Sequence, residues 1–127
     1  MEFTLKEEIL DKLEQVSESI EVIQDRCKDY RSLDDFLQTP WGMTVLDACI
    51  MRLQVIGETI KSIDDKTHQG LLTNYPQTPW RKIIGLRNII SHEYANIDYD
   101  IIWTIIEKYL PSLKESVKLV KKGVSDF

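Results

Sequence analysis

The stretch LKEEILDKLEQVSESIEVIQDRC, residues 5–27, decides the fold class. Leu5, Ile9, Leu13, Val16, Ile20, Ile23 and Cys27 recur at steps of three and four, with acids and lysines between them. That is the period of an amphipathic helix of about six turns. Working outward, the pattern breaks around Tyr30 to Leu33, where Ser32, followed by Asp34 and Asp35, is expected to cap a short helical turn carrying Phe36 and Leu37. Thr39-Pro40-Trp41 then reads as a cap with proline at the first helical position. A second long helix is predicted over roughly Trp41 to Asp64, with Val45, Leu46, Cys49, Ile50, Leu53, Ile56, Ile60 and Ile63 spread over more than one face. A helix so apolar is central in a bundle or part of a subunit interface. Gly57 sits in its interior, where glycine costs about 1 kcal/mol relative to alanine, so a close backbone approach to a neighbouring helix is expected there. Arg52 and Glu58 are its polar exceptions, read as surface charges slightly ahead of partners for a site elsewhere.

From Lys66 to Gln77 the polar residues, Gly70, Asn74 and Pro76 mark a connection with one helical turn near Leu71 and Leu72. His68 lies in this loop and is read as solvated rather than catalytic. Thr78-Pro79-Trp80 repeats the cap-plus-proline signature and opens a third helix through Ile83, Ile84, Leu86 and Ile90. Asp98 or Asp100 starts the last helix, which carries Ile101, Ile102, Trp103, Ile105, Ile106 and Leu110, with a kink expected at Pro111. No strand-like alternation occurs, and the two Thr-Pro-Trp occurrences do not extend into a repeat. The expected fold is all-α: one domain over residues 1–127, an antiparallel bundle of four to five helices that dimerises.

Composition narrows the classes. A hydrophobic fraction of 43% with 29% charged residues is that of a globular chain, and no apolar run is long enough for a bilayer. The N-terminal residues lack the apolar stretch of a secretory signal, so a cytoplasmic, reducing location is expected. Cys27 and Cys49 are far apart in sequence, fit neither a zinc nor a redox motif, and are read as small core residues. The net charge of −5 argues against coating nucleic acid by bulk electrostatics, though not against a local basic site. Basic clusters do occur at Arg81, Lys82 and Arg87, and at Lys114, Lys118, Lys121 and Lys122; the second reads as a solvated helix end. There is no H-x-E with paired cysteines, no glycine-rich phosphate loop and no H-E-x-x-H, so a deaminase, kinase or zinc enzyme is unsupported and no cofactor is expected.

The dense polar group is Arg87-Asn88-Ile89-Ile90-Ser91-His92-Glu93-Tyr94. On a helix Asn88 lies beside His92, and Arg87 shares a stripe with Ser91 and Tyr94. Arg87 and His92 are five apart, about 140° around an ideal helix. They converge if the helix distorts, if the arginine reaches round, or if two subunits share the site. Metal-free RNA cleavage needs a base for the ribose 2′-hydroxyl, an acid for the departing 5′-oxygen, and a cation for the charge on phosphorus. Histidine fills either of the first two roles near neutral pH, and the arginine fork suits the third. A two-fold dimer would place two copies of His92 and Arg87 in one cleft.

This run resembles the signature of the HEPN superfamily, an arginine four to six residues before a histidine, with an Asn after the arginine. The tyrosine two residues after the histidine is similar to the HepT subgroup, the toxin half of HepT/MntA toxin-antitoxin systems. The supporting segments are Ile56-Gly57-Glu58-Thr59, Pro79-Trp80, Gly85-Leu86-Arg87-Asn88, Ile102-Trp103 and Leu110-Pro111. The resemblance implies a metal-independent endoribonuclease acting on RNA, with Arg87 and His92 catalytic, and Asn88 and Ser91 orienting. It also implies a homodimer and a minimal nucleotidyltransferase antitoxin that transfers AMP onto Tyr94. Two alternatives stay open: a non-catalytic helical module that docks the nucleotidyltransferase, and a purely structural adaptor.

Overall fold

The computed structural model describes residues 4–88 and 97–127. Its elements are α1 (Leu5–Cys27), α2 (Leu33–Leu37), α3 (Pro40–Lys66), a tight turn at Leu72–Asn74, and α4 (Trp80–Gly85), which tightens into a 3₁₀ turn over Leu86–Asn88. After residue 96 come α5 (Tyr99–Thr104), a wider-coiled segment (Ile105–Tyr109) and α6 (Leu110–Ser125). The described residues contain no strand, so the all-α reading stands. No helix among them is long and apolar enough to cross a membrane.

The stripe read in residues 5–27 is the face that is buried: Ile9, Leu13, Val16, Ile20, Ile23 and Cys27 are all in the core, while Leu5 is half exposed. Against it lie α3, through Leu46, Cys49, Leu53, Ile56, Ile60 and Ile63, and α6, through Leu113, Val117 and Val120. Charged pairs on the rim give the direction of packing. Glu14 pairs with Lys121 and Glu21 with Lys114, so α6 runs back along α1 as α1 advances. Likewise Glu8, at the start of α1, meets Lys66, at the end of α3, at 2.7 Å. The Lys66 ammonium holds the Glu8 carboxyl below its usual range. Both contacts are antiparallel. Three of the four lysines flagged near the C-terminus, Lys114, Lys118 and Lys121, are paired with acids, in keeping with a solvated helix face.

Helix starts follow local chemistry with two departures. Thr4 and Thr39 accept from the N–H groups of Glu7 and Gly42, and Asp98 accepts from Asp100 and Ile101, which settles the start of α5. Ser32, by contrast, makes no side-chain cap bond; Asp35 accepts from the Arg31 N–H at 2.7 Å and ties down that turn instead. Thr78 does not cap α4 either: its hydroxyl bonds Ser116 of α6 at 2.8 Å. We expect Thr39→Ala to cost about 1 kcal/mol, read as a lower urea midpoint with an unchanged slope.

α2 closes one end. Phe36 is fully buried, stacked on Tyr30 at 4.0 Å and edge-on to Trp103 at 5.4 Å. The kink expected at Pro111 takes the form of a widened coil just before it. Proline offers no N–H to the carbonyl four residues back and its ring crowds that carbonyl, and Ile105–Tyr109 absorbs this by i→i+5 bonding.

Candidate functional site

The site is built from α3 outward. Gly57 lies at a crossing with the α4 segment so close that a Cβ placed on it would stand 2.5 Å from the Arg87 backbone nitrogen, 3.0 Å from the Ile83 carbonyl oxygen and 3.1 Å from the Leu86 carbonyl carbon. All three are backbone atoms. The close approach read from the sequence is therefore real, and its partner is the main chain that carries Arg87. α4 is also held by Trp80, whose indole N–H donates to the Tyr75 carbonyl at 3.0 Å, and by the buried Ile83.

At Leu86–Asn88 the coil tightens from about 100° to about 120° per residue. Gly85, the last α-helical residue, is a poor helix former and precedes this change. Arg87 is partly exposed and Asn88 exposed. Among the described residues no acid pairs with Arg81, Lys82 or Arg87, whereas most of the α6 lysines are neutralised. Ser91, His92 and Tyr94 lie outside the described residues.

Beside this segment is a cavity of about 490 Å³ between α4, the widened coil and α6, lined by Lys82, Ile83, Leu86, Tyr109, Leu113 and Ser116, among others. Sequence reasoning missed it, because its walls come from residues some thirty positions apart. Arg52 is partly buried and Glu58 exposed; neither forms an ion pair among the described residues, so no link to Arg87 is seen. His68 is exposed, with φ of 53°. Among the described residues no group of three His, Cys, Asp or Glu side chains is placed to hold a metal. Cys27 and Cys49 are core residues, as read, but their sulfurs are 3.6 Å apart.

The fold and site define a helical bundle that presents, on a short, glycine-seated segment, an arginine with no acidic partner among the described residues. More particularly, the chain belongs to the HepT-like family: the model described as "Ribonuclease HepT-like" matches residues 16–120. Among the proteins similar to it are the following three. "Gamma-glutamylcyclotransferase and putative RNase MJ0434" of Methanocaldococcus jannaschii is 31% identical over 83% of this chain and 44% of its own length, so the chain spans less than half of that relative. "Putative RNase TTE0752" of Caldanaerobacter subterraneus subsp. tengcongensis is 31% identical over 84% of this chain and 88% of its own. "Probable ribonuclease HepT" of Thermococcus cleftensis is 29% identical over 88% and 94%. No solved structure matches the chain.

Proposed function

We propose that the chain is a metal-independent endoribonuclease toxin in which Arg87 and His92 cut RNA by transesterification. The observation that carries the reading is Arg87 itself: a guanidinium without an acidic partner among the described residues, on a backbone seated against Gly57. Arginine left free in this way is ready for a phosphate, to which it donates two parallel N–H bonds. His92 acts as acid or base, and Asn88 and Ser91 orient the pair. The 2′-oxygen attacks phosphorus, the 5′-oxygen leaves with a proton, and a 2′,3′-cyclic phosphate remains. The cavity next to Lys82 is large enough for a nucleobase.

In the same reading a nucleotidyltransferase antitoxin silences the site. The Tyr94 oxygen attacks the α-phosphorus of ATP, pyrophosphate leaves, and the attached AMP carries a phosphate to which Arg87 pairs in place of RNA. A homodimer is supported by uncovered apolar side chains: Trp41 is 70% exposed, Met51 57% and Val55 42%. On an ideal helix these three fall within about 80° of one another, on the side of α3 away from Gly57. That stripe gives the chain a reason to associate; a cleft shared by two motifs needs the partner to reach the α4 side as well.

The test is incubation of purified protein, confirmed by intact mass to carry no AMP, with a mixed RNA pool in EDTA beside His92→Ala. Cleavage by the wild type that the variant lacks is the expected result. Intact RNA with unmodified, dimeric protein would overturn the nuclease reading and favour the docking module.

A further inference from the structure

We propose that Cys27 and Cys49 form an oxidisable dithiol, a modification site at which hydrogen peroxide drives a disulfide between α1 and α3. The two sulfurs are 3.6 Å apart and both thiols are free. A disulfide needs about 2.05 Å, so closure requires a shift of roughly 1.5 Å, within reach of side-chain rotation and a small helix movement. The register of the two helices sets up the encounter. From the Glu8–Lys66 pair, Cys27 lies 19 residues forward along α1 and Cys49 lies 17 residues back along α3.

Position also decides which chemistry is open. Cys49 is 1% exposed and Cys27 7%, so neither is placed to bridge to another molecule, whereas a two-oxygen oxidant is small enough to enter. Cys27 stands in the last turn of α1, where local fraying is easiest. The Cys27 S–H, with the Arg26 and Arg52 cations, holds the Cys49 thiol below its ordinary range. The hydrogen bond to Cys49 and burial push the Cys27 thiol well up, keeping it protonated. In the first step the Cys49 thiolate attacks one peroxide oxygen, the O–O bond breaks, and the departing hydroxide takes a proton to become water. Cys49 is now a sulfenic acid. The Cys27 sulfur then attacks the Cys49 sulfur, loses its proton, and expels the sulfenic oxygen as a second water. Two thiols are oxidised by two electrons, and one peroxide is reduced to two waters.

The experiment treats folded wild-type protein with graded hydrogen peroxide, removes the peroxide with catalase, unfolds the protein in denaturant containing dimedone, digests without reduction and maps the cysteine peptides by mass. The expected result is a cross-linked pair 2 Da lighter than the two free peptides, no dimedone adduct, reversal by dithiothreitol, and a Tm raised by about 5 °C or more. Cys27→Ser should instead yield a dimedone adduct on Cys49. Wild-type protein that keeps both thiols, or carries sulfinic or sulfonic acid at either cysteine without the cross-link, would overturn the proposal. The readout is covalent and made on the folded chain, so it stands whether or not the protein cuts RNA.

Discussion

Arg87→Ala and His92→Ala are each expected to lower kcat for RNA cleavage by about 10²- to 10⁴-fold, the range typical of a lost general acid or base or of a lost donor to developing charge. For Arg87 the structure sharpens the expectation. Its side chain is partly exposed and has no acidic partner among the described residues, so alanine should leave the Tm nearly unchanged, within the about 0.5 kcal/mol usual for surface positions. Loss of rate with an intact thermal transition separates chemistry from folding. Arg87→Lys keeps the charge but loses the planar fork, and should recover only part of the rate. If Arg87→Ala raises KM with kcat unchanged, the arginine contributes uniform binding and not transition-state stabilisation. Equal cleavage by wild type and both variants would locate the nuclease elsewhere.

The second large effect is expected at Gly57. Alanine there improves helix propensity by about 1 kcal/mol, yet its Cβ would stand 2.5 Å from the Arg87 nitrogen. Backbone cannot rotate aside as a side chain can, so α3 and the α4 segment must separate. Overpacking of this kind costs about 1–3 kcal/mol. Gly57→Ala should therefore lose up to about 2 kcal/mol net, and Gly57→Leu about 3 kcal/mol, read from urea or thermal transitions. Activity should suffer more than stability suggests, because a shift of about 1 Å in a catalytic group can cost on the order of 10²-fold in rate. Gly85 is the matched control, since a Cβ there meets nothing within 4 Å among the described residues, and Gly85→Ala should be neutral or slightly stabilising. A Gly57→Ala protein that melts higher than wild type, as Gly85→Ala could, would show that the crossing is looser than its geometry implies.

Much of this architecture could be read from residue periodicity. The long helices α1 and α3 start and end within two residues of where apolar spacing, Thr39 and the polar connection after Lys66 place them. Gly57 was legible because an interior glycine carries a cost that close packing offsets. What failed to show were features that depend on partners distant in sequence. Thr39 and Thr78 begin the same tripeptide, but only Thr39 caps its helix; Thr78 finds Ser116, 38 residues on, and bonds it instead. Local chemistry offers a hydroxyl two uses, and tertiary packing selects one. The cysteine pair was hidden for the same reason. Helical phase tells which face Cys27 and Cys49 occupy but not what stands opposite, and the register that aligns them rests on the bundle as a whole. At the site itself, the sequence run names Arg87 and Asn88, and the structure adds their seat on α3 and the tightening of the coil.

The ion pairs between α1 and α6 recur every seven residues, Glu14 with Lys121 and Glu21 with Lys114. Buried positions share the interval: Ile9, Val16 and Ile23 on α1, and Leu110, Val117 and Val124 on α6. Sliding α6 by two turns, about 10 Å, would set Glu14 opposite Lys114 and Glu7 opposite Lys121, with apolar layers again facing apolar layers. The apolar layers along this seam do not tell one alignment from the other, and charge does so only at Glu21, which would face Glu107 in place of Lys114. The rest of the choice falls to contacts that occur once: the Thr78–Ser116 hydroxyl bond, and Lys6 reaching the carbonyls of Ser125 and Phe127 at the far end. Adhesion between these two helices is a repeated text, and its alignment is kept by a few unrepeated marks.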